Sequence, residues 1–238
     1  MNEIDIKNFS KFYENKNQKA ACIKINFQAS LGDIVGILGL NGAGKSTFLK
    51  TICGIQYPSS GQINIFGKSQ LYEFRKICAY VPEVPELNKN LTVKESLFFA
   101  ANLTDFKTDE IKKNIKTAID ISELEEVLNK KISSLSKGFL QRTSLALAIC
   151  KNPKVLILDE FSAGLDPLQN LKIQKQIKNL AKNKIIILSS HNLEEAQKLC
   201  SKFYILKQGQ IVSSGTLQEI LNQSKSSSLE DAYIKLTS

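Results

Sequence analysis

The chain has 238 residues, 42% hydrophobic and 23% charged, the balance of a globular protein that buries a core. No apolar run approaches the ~18–20 residues of a membrane helix, so any span has to come from a partner. The start, Met1 to Asp5, has neither the basic residues nor the apolar stretch of a secretion signal, and a cytoplasmic location is expected. The net charge of +9 is spread over lysines such as Lys112, Lys116, Lys130, Lys172 and Lys184 without interleaved aromatic residues. That pattern describes solvated helix faces rather than a base-stacking surface, and no specific nucleic-acid partner is expected. The cysteines (Cys22, Cys53, Cys78, Cys150, Cys200) form no C-x-x-C pair and read as reduced core residues.

Residues 3–9 and 23–27 alternate polar and apolar, with a turn-like stretch at 14–18 between them, and predict an antiparallel β unit. Residues 34–38 predict a short buried strand that enters a glycine-rich turn, with a helix at 46–53 after it. A turn at 58–61 precedes a strand at 62–66. A strand at 77–81 is closed by Pro82, which cannot continue a ladder. Helices follow at 92–103, where Thr92 and Glu95 form a capping-box pattern, and at 108–121, where Ile111, Ile115, Ala118 and Ile119 fall on one face. A short helix is expected near 124–128, so that 86–140 reads as a helical insert. Ser136 caps a further helix that runs to about residue 150 and is stopped by Pro153. The apolar runs 155–158 and 185–188 read as parallel strands buried on both faces, with a helix at 168–181 between them. A helix at 192–199, a hairpin of 203–206 with 210–213, a helix at 216–222, a polar linker at 224–228 and a tail helix at 229–236 complete the chain. The fold class is α/β: a parallel central sheet, an N-terminal antiparallel β subdomain, a helical insert and a helical tail (215–238), within one domain over 1–238.

Residues Gly39, Leu40, Asn41, Gly42, Ala43, Gly44, Lys45, Ser46 and Thr47 fit the phosphate-loop pattern G-x-x-x-x-G-K-[ST], between a strand and a helix as that chemistry requires. The glycines let successive N–H groups converge on an anion, and the helix N-terminus adds unpaired donors. Lys45 brings a full charge to the β- and γ-phosphates, and the Ser46 hydroxyl is a ligand for Mg²⁺. Asp159 and Glu160 follow the apolar strand, at the edge where α/β sheets bind ligands. Asp159 is placed to hold Mg²⁺ and Glu160 to act as general base on water. Ser136 and Gly138, at a helix start, read as a second anion site beside the other motifs and, taken alone, as an ordinary capped helix. His191, the single histidine, ends the second apolar strand and can face the γ-phosphate. A bound nucleoside triphosphate is therefore expected.

Together these motifs resemble the ATP-binding-cassette (ABC) ATPases, in the family's order and over essentially the whole chain. The resemblance implies a P-loop NTPase core of the ABC type that binds ATP with Mg²⁺. Residues 39–47 resemble Walker A, 155–160 Walker B with its catalytic glutamate, and 136–141 the signature. Residues 161–166 resemble the D-loop, and His191 the switch histidine. Tyr13 matches the aromatic residue that stacks on adenine, with Phe12 beside it. Catalysis then falls to Glu160, His191 and Lys45, and metal binding to Ser46, Asp159 and Glu83. In the family the phosphate loop of one subunit and the signature of another enclose each ATP. This implies a homodimer, or a heterodimer with a sister cassette, in which Ser136 and Gly138 complete the partner's site.

Departures from the pattern mark a subgroup. Glu83 stands where the family usually has glutamine, Lys137 and Phe139 replace the first glycine and the glutamine of the signature, and Phe161 replaces a proline. These features, with the tail 229–233, resemble exporter-type cassettes that pair with a separate membrane permease. The implied location is the inner face of the cell membrane. Two other readings stand beside this one: a soluble cassette acting on nucleic acid or translation, and a non-hydrolysing, nucleotide-dependent regulatory subunit.

Overall fold

Residues 2–13 and 20–238 are described by the computed structural model; the turn expected at 14–18 lies outside them. In chain order, β1 (Ile4–Phe12) and β2 (Ala20–Ala29) are alternating strands with one buried face, and β3 (Ile34–Leu38) is buried throughout. Helix α1 (Lys45–Ile52) follows the phosphate loop. Next come β4 (Ser60–Ile65), α2 (Leu71–Ile77) and β5 (Cys78–Val81). Helix α2 is absent from the sequence reading, and Ile77, expected to open the strand, instead closes this helix. Helices α3 (Val93–Asn102) and α4 (Thr108–Ser122) are followed by two short 3-10 turns, the first in place of the short helix expected near residue 126. Then come α5 (Lys137–Ile149), β6 (Val155–Asp159), α6 (Pro167–Ala181), β7 (Ile185–Ser190) and α7 (Leu193–Leu199). The hairpin β8 (Lys202–Lys207) and β9 (Gln210–Gly215) and helices α8 (Leu217–Ser224) and α9 (Leu229–Thr237) end the chain.

Two sheets result. One is antiparallel, in the order β2-β1-β4; the other runs β5-β6-β7-β3-β8-β9 and is parallel except for the β8–β9 hairpin. Alternate residues of the parallel strands serve opposite faces, as a period of two demands. Val35, Ile37, Val155, Ile157, Ile185 and Ile187 pack toward the antiparallel sheet and α1. Leu156, Leu158, Ile186 and Leu188 pack toward the helices α3 to α6. A third cluster, with Leu38, Phe203, Ile220 and Leu229, seats the last helices against the edge. Each fully buried Leu or Ile contributes about 1.5–3 kcal/mol, so the both-face strands fix the sheet order.

Register then places the chemistry. Leu38 pairs with Ser190, Asp159 with Ser189, and Val81 with Leu158. Four parallel strands thus stop at one level, and the loops after β3, β5, β6 and β7 leave the same carboxyl edge of the sheet.

Candidate active site

The phosphate loop is shaped by contacts that exclude side chains. Gly44 has φ +105°, and a Cβ there would lie 2.1 Å from the Ala21 carbonyl oxygen. Gly42 has φ +81° beside open space. The loop is tied down from behind by the Gly209 N–H, which donates to the Ala43 carbonyl at 2.9 Å. Lys45, 5% exposed, extends back along the loop: its Nζ donates to the carbonyls of Gly39 at 2.8 Å and Leu40 at 3.3 Å. It also stands 3.2 Å from Glu160 Oε1.

Glu160 meets the loop because β6 ends beside β3's neighbour β7. Its φ of +47° lies in the left-handed region, which costs a non-glycine residue about 1–2 kcal/mol. Its N–H donates to Ser189 Oγ at 2.9 Å and its Oε2 lies 2.5 Å from His191 Nδ1. Its Oε1 is buried and makes the charge contact with Lys45 but no hydrogen bond. Lys45, Glu160 and His191 therefore form one chain of contacts across three loops.

Asp159 is buried and sits one residue back. Ser189 donates to its Oδ1 at 2.5 Å and Tyr80 donates to its Oδ2 at 2.6 Å. Burial first, and then the neighbouring Asp159, push the Tyr80 hydroxyl pKa well above its ordinary value, so Tyr80 stays a donor.

A cleft of about 290 Å³ opens along the loop, lined by Gly42, Gly44, Lys45, Ser46, Glu83 and Glu160 among others. Glu83 thus shares the cleft although it comes from the loop after β5. Tyr13 reaches the far end of the loop: its hydroxyl donates to Gln56 Oε1 at 2.9 Å and lies 3.2 Å from Thr47 Oγ1.

Ser136 and Gly138 belong to another assembly. Ser136 is the exposed N-cap of α5 and accepts from the Phe139 N–H at 3.4 Å. A Cβ on Gly138 would approach Gln169 and Gly164, and the Lys137 side chain lies against Gly164. The signature and the loop after β6 are thus packed together. Among the described residues, no hydrogen bond or ion pair joins Ser136 or Gly138 to residues 39–47.

Sequence reasoning assigned no role to Tyr80, or to Ser189 beyond its place beside His191. Both contacts depend on which strands flank β6, which no local pattern encodes. Gln141 is a further omission: it is buried, and its Nε2 donates to the Pro82 carbonyl at 3.5 Å, linking α5 to the Glu83 loop.

Buried carboxylates, a buried lysine and a glycine-rich turn at the carboxyl edge of a parallel sheet are the arrangement of a nucleotide-binding α/β protein. The profile of the family described as "ABC transporter" matches residues 22–163. Nod factor export ATP-binding protein I of Rhizobium etli is 32% identical over 227 residues, 94% of this chain and 71% of that protein. An uncharacterized ABC transporter ATP-binding protein, YxlF of Bacillus subtilis, is 32% identical over 92% of this chain and 73% of its own. Among solved structures, an ATP binding subunit of an ABC transporter superposes with a TM-score of 0.91 at 32% identity over 99% of both chains. A dimeric post-hydrolysis state of the cassette MJ0796 bound to ADP and Pi superposes with a TM-score of 0.83 at 25% identity, over 90% of this chain and 98% of that one. The chain belongs to the ABC transporter family, as an ATP-binding subunit.

Proposed function

We propose that this chain is a Mg²⁺-dependent ATPase whose two-cassette closure drives transport, in the export direction, through a separate membrane permease. The observation that carries the proposal is the chain of contacts Lys45–Glu160–His191 beside the cleft. The 3.2 Å contact between Lys45 and Glu160 supports reading the first as the phosphate-binding cation and the second as the base. Lys45 meets the β- and γ-phosphates, Glu160 takes a proton from the attacking water, and His191 holds the Glu160 carboxylate in position. Tyr13 stacks on adenine, and the loop amides, including those of Asn41, Ala43 and Thr47, receive the phosphates. Ser136 and Gly138 complete the site of a second copy or of a sister cassette.

Ser46, Asp159 and Glu83 offer only oxygen ligands, the donor set of a hard cation. Among the described residues no group of three or more His, Cys, Asp or Glu is placed to hold a metal ion by itself; in this reading Mg²⁺ is held by one or two carboxylates together with substrate phosphates. Bound there, Mg²⁺ supplies charge neutralisation to the phosphates. No helix among the described residues is long and apolar enough to cross a membrane; in this reading a separate permease supplies the span and the cassette docks on its inner face. We further assign residues 1–238 to a single ATPase domain, with 86–140 as its helical subdomain.

The test is turnover by the purified chain with Mg²⁺ and ATP. Glu160→Gln is expected to lower kcat by about 100-fold or more while it retains ATP and gathers as a dimer in light scattering. Normal turnover by this variant removes Glu160 as the base. A wild-type chain that binds ATP without hydrolysing it, alone and with its permease, points instead to the regulatory reading.

A further inference from the structure

The acids at the end of β6 are held by two hydroxyls that the phosphate-loop chemistry does not use. β6 lies between β5 and β7, and each flanking strand supplies one hydroxyl. Tyr80 donates from β5 to Asp159 Oδ2 at 2.6 Å, and Ser189 donates from β7 to Asp159 Oδ1 at 2.5 Å. The proton of Ser189 is committed to Asp159, which leaves an oxygen lone pair to accept the Glu160 N–H at 2.9 Å. One serine therefore fixes a side chain and the next peptide, and that peptide carries the left-handed φ of Glu160.

We propose that Tyr80 and Ser189 are positioning residues for the ATPase site: together they clamp the Asp159 carboxylate toward Mg²⁺, and Ser189 alone also locks the Glu160 backbone that aims the base. The proposal rests on the reading of Asp159 as a Mg²⁺ residue. A carboxylate that receives one O–H on each oxygen cannot rotate about its last bond without breaking a buried hydrogen bond. Each oxygen still has a lone pair for the metal or for a water on it. Partners of this kind behind a metal ligand typically govern metal affinity by 10–100-fold. A tyrosine that merely filled space would be replaced by phenylalanine without consequence, and the two roles thereby separate.

The experiment follows binding of a fluorescent ATP analogue to the full chain, in EDTA and across a Mg²⁺ titration, with kcat measured in parallel. Tyr80→Phe and Ser189→Ala are each expected to bind nucleotide in EDTA as the wild type does and to raise the Mg²⁺ midpoint by about 10-fold. Excess Mg²⁺ recovers most of the turnover of Tyr80→Phe but not that of Ser189→Ala, because only the serine also holds Glu160. Ser189→Thr, which keeps the hydroxyl, restores the midpoint. Wild-type midpoints in Tyr80→Phe and Ser189→Ala, while Asp159→Asn shifts its own, overturn the clamp and leave the reading of Asp159 intact. An unshifted Asp159→Asn removes that reading and the clamp with it. An equal loss of binding in EDTA, or no rescue by threonine, makes the two hydroxyls structural and overturns the proposal.

Discussion

At the scale of single residues, the buried pair Lys45–Glu160 decides how the site responds to change. Both side chains are under a tenth exposed and stand 3.2 Å apart. Removing one leaves the other without its opposite charge in a low-dielectric setting, with Glu160 still on His191 or Lys45 still on the Gly39 and Leu40 carbonyls, and that costs more than the pair contributes. Lys45→Met is expected to abolish ATP binding and to destabilise the chain by about 3 kcal/mol in urea unfolding. The double variant Lys45→Met/Glu160→Gln, with no charge left to strand, recovers much of that loss; equal losses would show that the pair is not coupled. The cysteines give a second expectation. Burial pushes the thiols of Cys22 and Cys53 up to about 12 and that of Cys150 up to about 11. An unfolded thiol titrates near 8.5, so above that pH the unfolded state has lost protons that the folded state keeps. This contribution to stability is complete below about pH 8.5 and drains away as pH rises toward 12. Urea midpoints under reducing conditions should therefore fall between pH 8 and pH 10, and a Cys22→Ala/Cys53→Ala variant should lose less.

At the scale of elements, most boundaries are written in short-range chemistry. Thr92 with Glu95 and Thr216 with Glu219 form complete capping boxes, and Ser136, Asp166, Asn192 and Ser228 each accept an N–H at a helix start. Thr92→Ala should lower stability by about 1 kcal/mol and leave nucleotide affinity unchanged, as urea unfolding and ATP titration would report. The Thr92–Glu95 and Ser136 caps were legible in the sequence, and the apolar runs of β6 and β7 made the parallel sheet legible. Helix α2 was not: it has no side-chain cap, buries Phe74 alone and runs straight into β5. The far end of β1 was also hidden, because Asn8 takes φ +50° and the register with β2 shifts past Ile6, which breaks the alternation. For the candidate site the division is similar. The phosphate loop, Asp159, Glu160 and His191 lie at strand ends that local pattern reveals. The hydroxyl clamp joins residues 79 and 30 positions apart, and only the order β5-β6-β7 brings them together.

At the scale of the whole molecule, the anion-binding parts fall into two groups. Asn41, Gly42, residues 44–47 and Glu160 line one cleft, with His191 in contact with Glu160, whereas Ser136 and Gly138 pack with the loop after β6 and Ser136 is exposed at the start of α5. A helix start with an exposed serine hydroxyl suits the proposed role of meeting the phosphates of a partner's ATP. The proposed two-fold dimer would have each copy offer its own cleft to the other's α5, with each ATP held by Lys45 of one chain and Ser136 of the other. Mixing two inactive variants tests this directly. Lys45→Met removes one half of each composite site and Ser136→Arg the other half, so each homodimer should be inactive. In a mixed dimer both lesions fall in one site and the second site is intact. With random pairing at equal concentrations, half of the dimers are mixed, and independent sites return about one quarter of the wild-type rate. Rates that stay at the level of the separate variants, with mixed dimers present by mass spectrometry, would place Ser136 outside the partner's site and return α5 to an ordinary capped helix.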